Sequence, residues 1–203
     1  MRYAHLIVAS LLTVAMSAPV AAAEAAGAPL PTSEVGDVLV YKDKFVTVDC
    51  QRWEVIDLDR DGYRVSRCGD FLAFADRSTG RLFKIVTEAG DKLVRFKPGL
   101  PTLSFPLSVG KQWSGEYEGY TNADGAVWSG DTYCEVKAKE DVQVAAGTFT
   151  AYRIACRDDW TAGPFSGVSS SRTWYSPKVG AVVKSVNDQD SKWDMELQSY
   201  SSK

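Results

Sequence analysis

One histidine, His5, is all that this 203-residue sequence holds. It lies inside an N-terminal stretch with the features of a removable signal, so the working chain is expected to carry no imidazole. That excludes the Ser-His-Asp triad, in which histidine moves the proton, and no G-x-S-x-G nucleophile elbow appears. Positive charge is also scarce, with 23 Lys and Arg against 26 Asp and Glu. Nucleic acid and anionic membrane surfaces need a basic face, so both are poor partners for this composition. No C-x-x-C pair suggests a zinc site, and no apolar run is long enough to cross a bilayer.

What is present begins with that N-terminus. Arg2 is the only charge before an apolar run from Leu6 to Met16, followed by Ser17, Ala18, Pro19 and the triplet Ala21-Ala22-Ala23. A positive start, a short apolar stretch and small residues before Glu24 make residues 1–23 a secretory signal peptide. No cysteine follows the run before Cys50, which disfavours a lipid anchor. The mature chain then begins at Glu24, with no transmembrane segment and a net charge near −4 once Arg2 is removed. Its expected home is the periplasm or the extracellular space. Residues 24–34, rich in Ala and Pro, read as a flexible leader to a single β-domain over 35–203.

Export to an oxidising compartment makes four cysteines two disulfides. Cys50 and Cys68 flank the turn Asp57-Leu58-Asp59-Arg60-Asp61-Gly62 symmetrically, and Cys134 and Cys156 flank Ala145-Ala146-Gly147. Residues equidistant from a hairpin turn face each other across two antiparallel strands. The pairs are therefore Cys50–Cys68 and Cys134–Cys156. Each closes a loop of about 20 residues, worth on the order of 3 kcal/mol in the chain-entropy account.

Strand periodicity runs through the rest. Thr132, Cys134 and Val136 alternate with polar neighbours, as do Tyr152, Ile154 and Cys156, and Trp193, Met195 and Leu197. A period of two places one set in the core. Val46, Val48 and Cys50 are even while Trp53 and Val55 are odd, which predicts a β-bulge near Gln51-Arg52. Turn chemistry at Asp61-Gly62, Ser78-Thr79-Gly80, Ala89-Gly90-Asp91, Ala123-Asp124-Gly125 and Pro177 to Gly180 divides the strands. The fold class is all-β: an antiparallel meander of about 10–12 strands forming a barrel-like or sandwich domain. Recurring short matches, such as Tyr63-Arg64-Val65 with Tyr152-Arg153-Ile154, suggest two related halves, about 35–97 and 109–200. Between them the Pro-rich residues 98–108 read as a crossover, since proline cannot donate to a central ladder.

Three segments carry a resemblance. Phe105-Pro106-Leu107-Ser108-Val109-Gly110-Lys111-Gln112-Trp113 comes first. Val144-Ala145-Ala146-Gly147-Thr148-Phe149-Thr150-Ala151-Tyr152-Arg153-Ile154 follows, then Trp174-Tyr175-Ser176-Pro177-Lys178-Val179-Gly180-Ala181-Val182-Val183-Lys184. The order and spacing, over about residues 105–186, resemble a pattern in exported bacterial proteins labelled TapB-like. The resemblance implies an all-β domain and brings no catalytic residue with it. The cysteines lie outside the pattern.

Candidate chemistry is thin. Asp57, Asp59 and Asp61 before Gly62 give the first half of a calcium loop, but Cys68 stands where the closing glutamate belongs. A hairpin turn selects the same residues and is the first reading, with a weak calcium site as the second. No other cofactor is expected. Glu116 with Glu118, and Asp158 with Asp159, are carboxylate pairs, but neighbours on one strand cannot straddle a sugar bond unaided. Residues 157–171 read as the longest irregular stretch, in which Trp160 and Phe165 are either a ligand platform or a plug.

The sequence thus points to an exported, non-enzymatic β-domain that binds an apolar or amphiphilic small molecule, or an envelope protein. A purely structural or interaction module is the alternative, and a His-free carboxylate hydrolase the third class. The disulfide expectation has a direct check. Digestion without reductant is expected to release peptides joining Cys50 to Cys68 and Cys134 to Cys156, and a Cys50–Cys134 or Cys50–Cys156 peptide overturns the hairpin pairing.

Overall fold

The computed structural model describes residues 27–43, 50–191 and 194–203. The signal peptide expected over 1–23, the first leader residues, and Val46, Val48 and Trp193 lie outside them. Among the described residues twelve strands follow one another. The first six are β1 (Val38–Asp43), β2 (Arg52–Leu58), β3 (Tyr63–Cys68), β4 (Phe71–Asp76), β5 (Leu82–Thr87) and β6 (Leu93–Lys97). The second six are β7 (Gln112–Thr121), β8 (Val127–Val144), β9 (Gly147–Ala162), β10 (Phe165–Ser176), β11 (Ala181–Asn187) and β12 (Met195–Ser201). Each pairs antiparallel with its neighbour in sequence, and β1 pairs with β12, so the meander closes into a barrel. Closure removes the exposed edges that an open sheet would present.

The alternation expected from sequence decides which face turns inward. Cys134, Val136 and Ile154 are fully buried, with Thr132 and Tyr152 nearly so, while Asp131, Tyr133, Arg157 and Asp159 face out. Two core clusters result. One joins Cys134, Val136, Tyr152, Ile154 and Tyr175, and the other joins Tyr41, Val142, Val144, Phe149, Ala151, Val183 and Leu197. The cysteines pair as Cys50–Cys68, with Cα atoms 5.5 Å apart, and Cys134–Cys156, at 4.1 Å. Cys134 and Cys156 are direct partners in the β8–β9 ladder. The β2–β3 register slips between Val55 and Asp57, past the residues whose phases differ, and the bulge expected near Gln51-Arg52 borders residues 44–49, which lie outside the described residues.

Two expectations are corrected. Residues 27–34 are no loose leader. Ala28 is buried and forms an isolated bridge with Leu107, its N–H donating to Leu107 O at 2.7 Å and its carbonyl accepting from Leu107 N at 2.8 Å. Ala and Pro, read as marks of mobility, here suit a chain that must lie close against other backbone. Residues 157–171 are no irregular loop either, because β9 and β10 run through them and meet at Gly163-Pro164. Their Ser and Gly residues sit in a regular ladder.

The Pro-rich segment separates the two sets of six strands; Cys134–Cys156 ties β8 to β9, and Cys50–Cys68 ties the residues just before β2 to the end of β3. Rather than crossing over solvent, the segment packs into the core. Pro101 and Leu107 are fully buried. The Phe105 ring meets Tyr175 edge-on at 5.1 Å. Trp113 Nε1 donates to Pro101 O at 2.8 Å, and Lys111 Nζ donates to Ser104 O and Pro106 O at 2.6 and 2.9 Å. Leu107 has no exposed surface and no room to relax, so Leu107→Ala is expected to cost about 2–5 kcal/mol. Urea unfolding is the measurement; a loss well under 1 kcal/mol would show that the segment is not part of the core.

Candidate functional site

Asp57, Asp59 and Asp61 do not converge. One Asp59 carboxylate oxygen accepts the Tyr63 N–H at 2.7 Å, and the Asp59 N–H donates to Tyr63 O at 2.9 Å. The carboxylate therefore closes the β2–β3 hairpin. Among the described residues no group of three or more His, Cys, Asp or Glu is placed to hold a metal ion.

The outward carboxylates share one sheet face. Glu116, Asp131 and Asp159 stand opposite one another across β7, β8 and β9, and with Glu118 they line an open hollow of about 530 Å³. Arg157 forks onto Asp159 at 2.7 and 3.1 Å. Asp158 points the other way, so the pair Asp158-Asp159 is split between the two faces.

The inward face of β6 to β10 is more ordered than the sequence suggested, and its side chains change character row by row. One row runs Phe96, Gly119, Trp128, and the adjacent row runs Tyr117, Gly130, Trp160, Gly167. Aromatic and glycine thus alternate in a checkerboard. The reason is steric: a Cβ on Gly119 would fall within the Trp128 ring, one on Gly130 within the Tyr117 ring, and one on Gly167 2.7 Å from Trp160. The glycines let three rings lie flat on the sheet, the arrangement in which an aromatic covers a glycine on a neighbouring strand. Phe96 meets Tyr117 and Trp128 edge-on, each at 6.1 Å. All four rings are only partly buried.

Below the rings the next row is polar, with Thr132, Asp158 and Ser169 in register. Asp158 accepts hydrogen bonds from Tyr117 OH at 2.9 Å and Thr132 Oγ1 at 2.7 Å. Burial first, and then the neighbouring Asp158 charge, push the Tyr117 phenol well above its ordinary pKa. Tyr117 therefore stays protonated and holds the carboxylate by donation. The disulfide row follows, then Val136 and Ile154. From rim to core the face passes from flat aromatic to polar to closed apolar.

Trp160, read from sequence as either a ligand platform or a plug, belongs to this checkerboard. Phe165 lies on the same face nearer the hairpin end and is 70% exposed. Sequence reasoning missed Phe96, Tyr117 and Trp128, and it read Asp158 only as half of a carboxylate pair with Asp159. A signal existed, because Tyr117 with Gly130 and Gly119 with Trp128 are each equidistant from the Asp124 turn, the same symmetry that pairs the cysteines.

No family model matches the chain, and no curated protein matches it. Among solved structures it is similar to a Bacteroides fragilis protein described as exported and YmcC-like in fold. The TM-score is 0.53 at 12% identity, over 86% of this chain and 99% of that one. A protein from Parabacteroides distasonis described as a lipoprotein gives a TM-score of 0.43 at 13% identity, over the same shares. The barrel is thus a known fold, and at this identity the likeness extends to the fold alone.

Gly130→Ala tests the checkerboard. The added methyl must displace the Tyr117 ring from Asp158, with an expected loss of about 1–3 kcal/mol from overpacking and a changed near-ultraviolet dichroism. An unchanged spectrum and stability would mean that the ring does not lie on the glycine.

Proposed function

We propose that the protein is an exported, non-enzymatic β-barrel of the cell envelope that holds an amphiphilic molecule against the aromatic checkerboard. The observation that carries this reading is the spreading of Tyr117, Trp128 and Trp160 flat over glycines, beside a polar row ending in Asp158. Buried rings in a core interdigitate to fill volume, whereas half-exposed rings lying flat offer a planar apolar surface. Asp158, Thr132 and Ser169 supply acceptors and donors along one border of that surface, which suits a molecule with one apolar face and one polar edge. Export is supported by the signal-like N-terminus, by two disulfides, and by the exported description of the Bacteroides fragilis protein that shares the fold.

The filled interior directs the ligand to the rim. Ala28, Pro101 and Leu107 occupy space that a lipid-carrying barrel leaves open. The same filling favours the second reading, an envelope protein partner docking on the rim beside exposed Phe165.

Mature protein recovered from its producer's envelope is the sample to test. By native mass spectrometry a small molecule is expected on the wild-type protein, released on denaturation and absent from a folded Trp128→Ala, Trp160→Ala double variant. A second polypeptide in place of the small molecule would establish the partner reading. A bare monomer in both samples would overturn the proposal.

A further inference from the structure

Away from the checkerboard, Arg64 is a basic group whose surroundings among the described residues the fold does not account for. It sits on β3 with its side chain turned into the barrel, toward Tyr41, Tyr175 and Asp37. Burial lowers its pKa, since a guanidinium loses hydration there, yet an arginine stays charged. Among the described residues its side chain makes one hydrogen bond, from Nη1 to Ser33 Oγ at 3.1 Å. Its Nε is sealed from solvent and, among the described residues, has no partner. The Asp37 charge offsets part of the cost of burying this guanidinium, but a sealed N–H without an acceptor remains costly.

Arg64 lines a hollow of about 60 Å³ between residues 32–33, β1, β2, β3, β12 and the turn before β11. A water requires about 10–15 Å³ on this measure, so the space holds about four waters, or one group the size of a carboxylate or phosphate. The surroundings are those of an oxyanion site. Ser33, Ser66 and Ser201 bring hydroxyl groups to the wall, and Leu39, Trp53 and Tyr200 lower the local dielectric. Asp37 is the acidic residue in the lining, and its two oxygens are engaged by the N–H groups of Glu34 at 2.8 Å and Lys203 at 3.2 Å. Tyr41 OH faces away, donating to Val182 O at 2.7 Å. Exposed Thr32 and Ser202 mark where the hollow meets solvent.

We propose that this hollow is a binding site for a small oxyanionic group, the carboxylate or phosphate end of a molecule whose remainder stays outside the barrel. Arg64 lines the hollow with a planar guanidinium, a group whose remaining N–H donors suit a carboxylate or a phosphate. The site is independent of the aromatic checkerboard, so failure of either leaves the other standing.

The test uses the full mature chain with acetate and inorganic phosphate as probes, each against chloride at equal ionic strength. The Arg64 Nε–H resonance, assigned by its loss in Arg64→Gln, is expected to shift saturably with at least one probe. The melting temperature is expected to rise with the same probe, and Arg64→Gln to bind it at least about tenfold more weakly. A response to acetate alone assigns a carboxylate, and a response to phosphate alone assigns a phosphate. If neither probe shifts Nε–H saturably, nor raises the wild-type melting temperature above the chloride control, the hollow holds water only and the proposal is overturned. If Arg64→Gln fails to fold, Arg64→Lys supplies the assignment, and the melting-temperature response is read on the wild-type protein in either case.

Discussion

A closed sheet of twelve strands cannot fill itself. At about eight strands the side chains of opposite walls meet across a barrel, and each added strand widens the gap. This chain closes the gap with its own backbone. Ala28 from the first described residues and Pro101 and Leu107 from the Pro-rich segment are drawn into the core, and paired hydrogen bonds pin Ala28 to Leu107. The remaining features of the core follow from that bridge. Pro101 must lie against the wall, and Gly115 lacks a side chain where it does so, with a Cβ there falling 2.8 Å from the proline ring. Phe105 must find Tyr175, and Lys111 must cap carbonyls that no ladder reaches.

The filler stops short of the rim, which is why the wall there can be decorated differently. Where Leu107 packs, the wall supplies small and branched residues such as Val136 and Ile154. Where nothing packs, it supplies rings laid on glycines. The polar row of Thr132 and Asp158 marks the change between the two, with its hydrogen bonds completed inside the row and by Tyr117. A carboxylate at that depth is tolerable because it has two donors within reach.

How much of this the sequence revealed depended on the kind of signal. Period-two alternation located Cys134, Val136, Ile154 and Leu197 in the core, because burial on one face leaves that mark directly. Symmetry about turns paired the cysteines, and applied to aromatics and glycines it would have exposed the checkerboard. Composition misled where regular backbone was built from residues usually found in loops: Ala and Pro in the segment 27–33, Ser and Gly in β9 and β10. Arg64 was not legible at all. It sits within an ordinary strand pattern, and only the closing of the barrel by β1 and β12 shows that its side chain ends in a confined space.

The Ala28–Leu107 bridge also bears on the order of assembly. Hairpins such as β8–β9, with its local cross-link, join residues close in sequence and can form early. The bridge joins the start of the described chain to its middle, inside a space that exists only once walls from both halves stand. Contacts of such long sequence separation form late, because their loop entropy is lost before the packing is gained. By that argument the earliest described residues of this chain are among the last to reach their place.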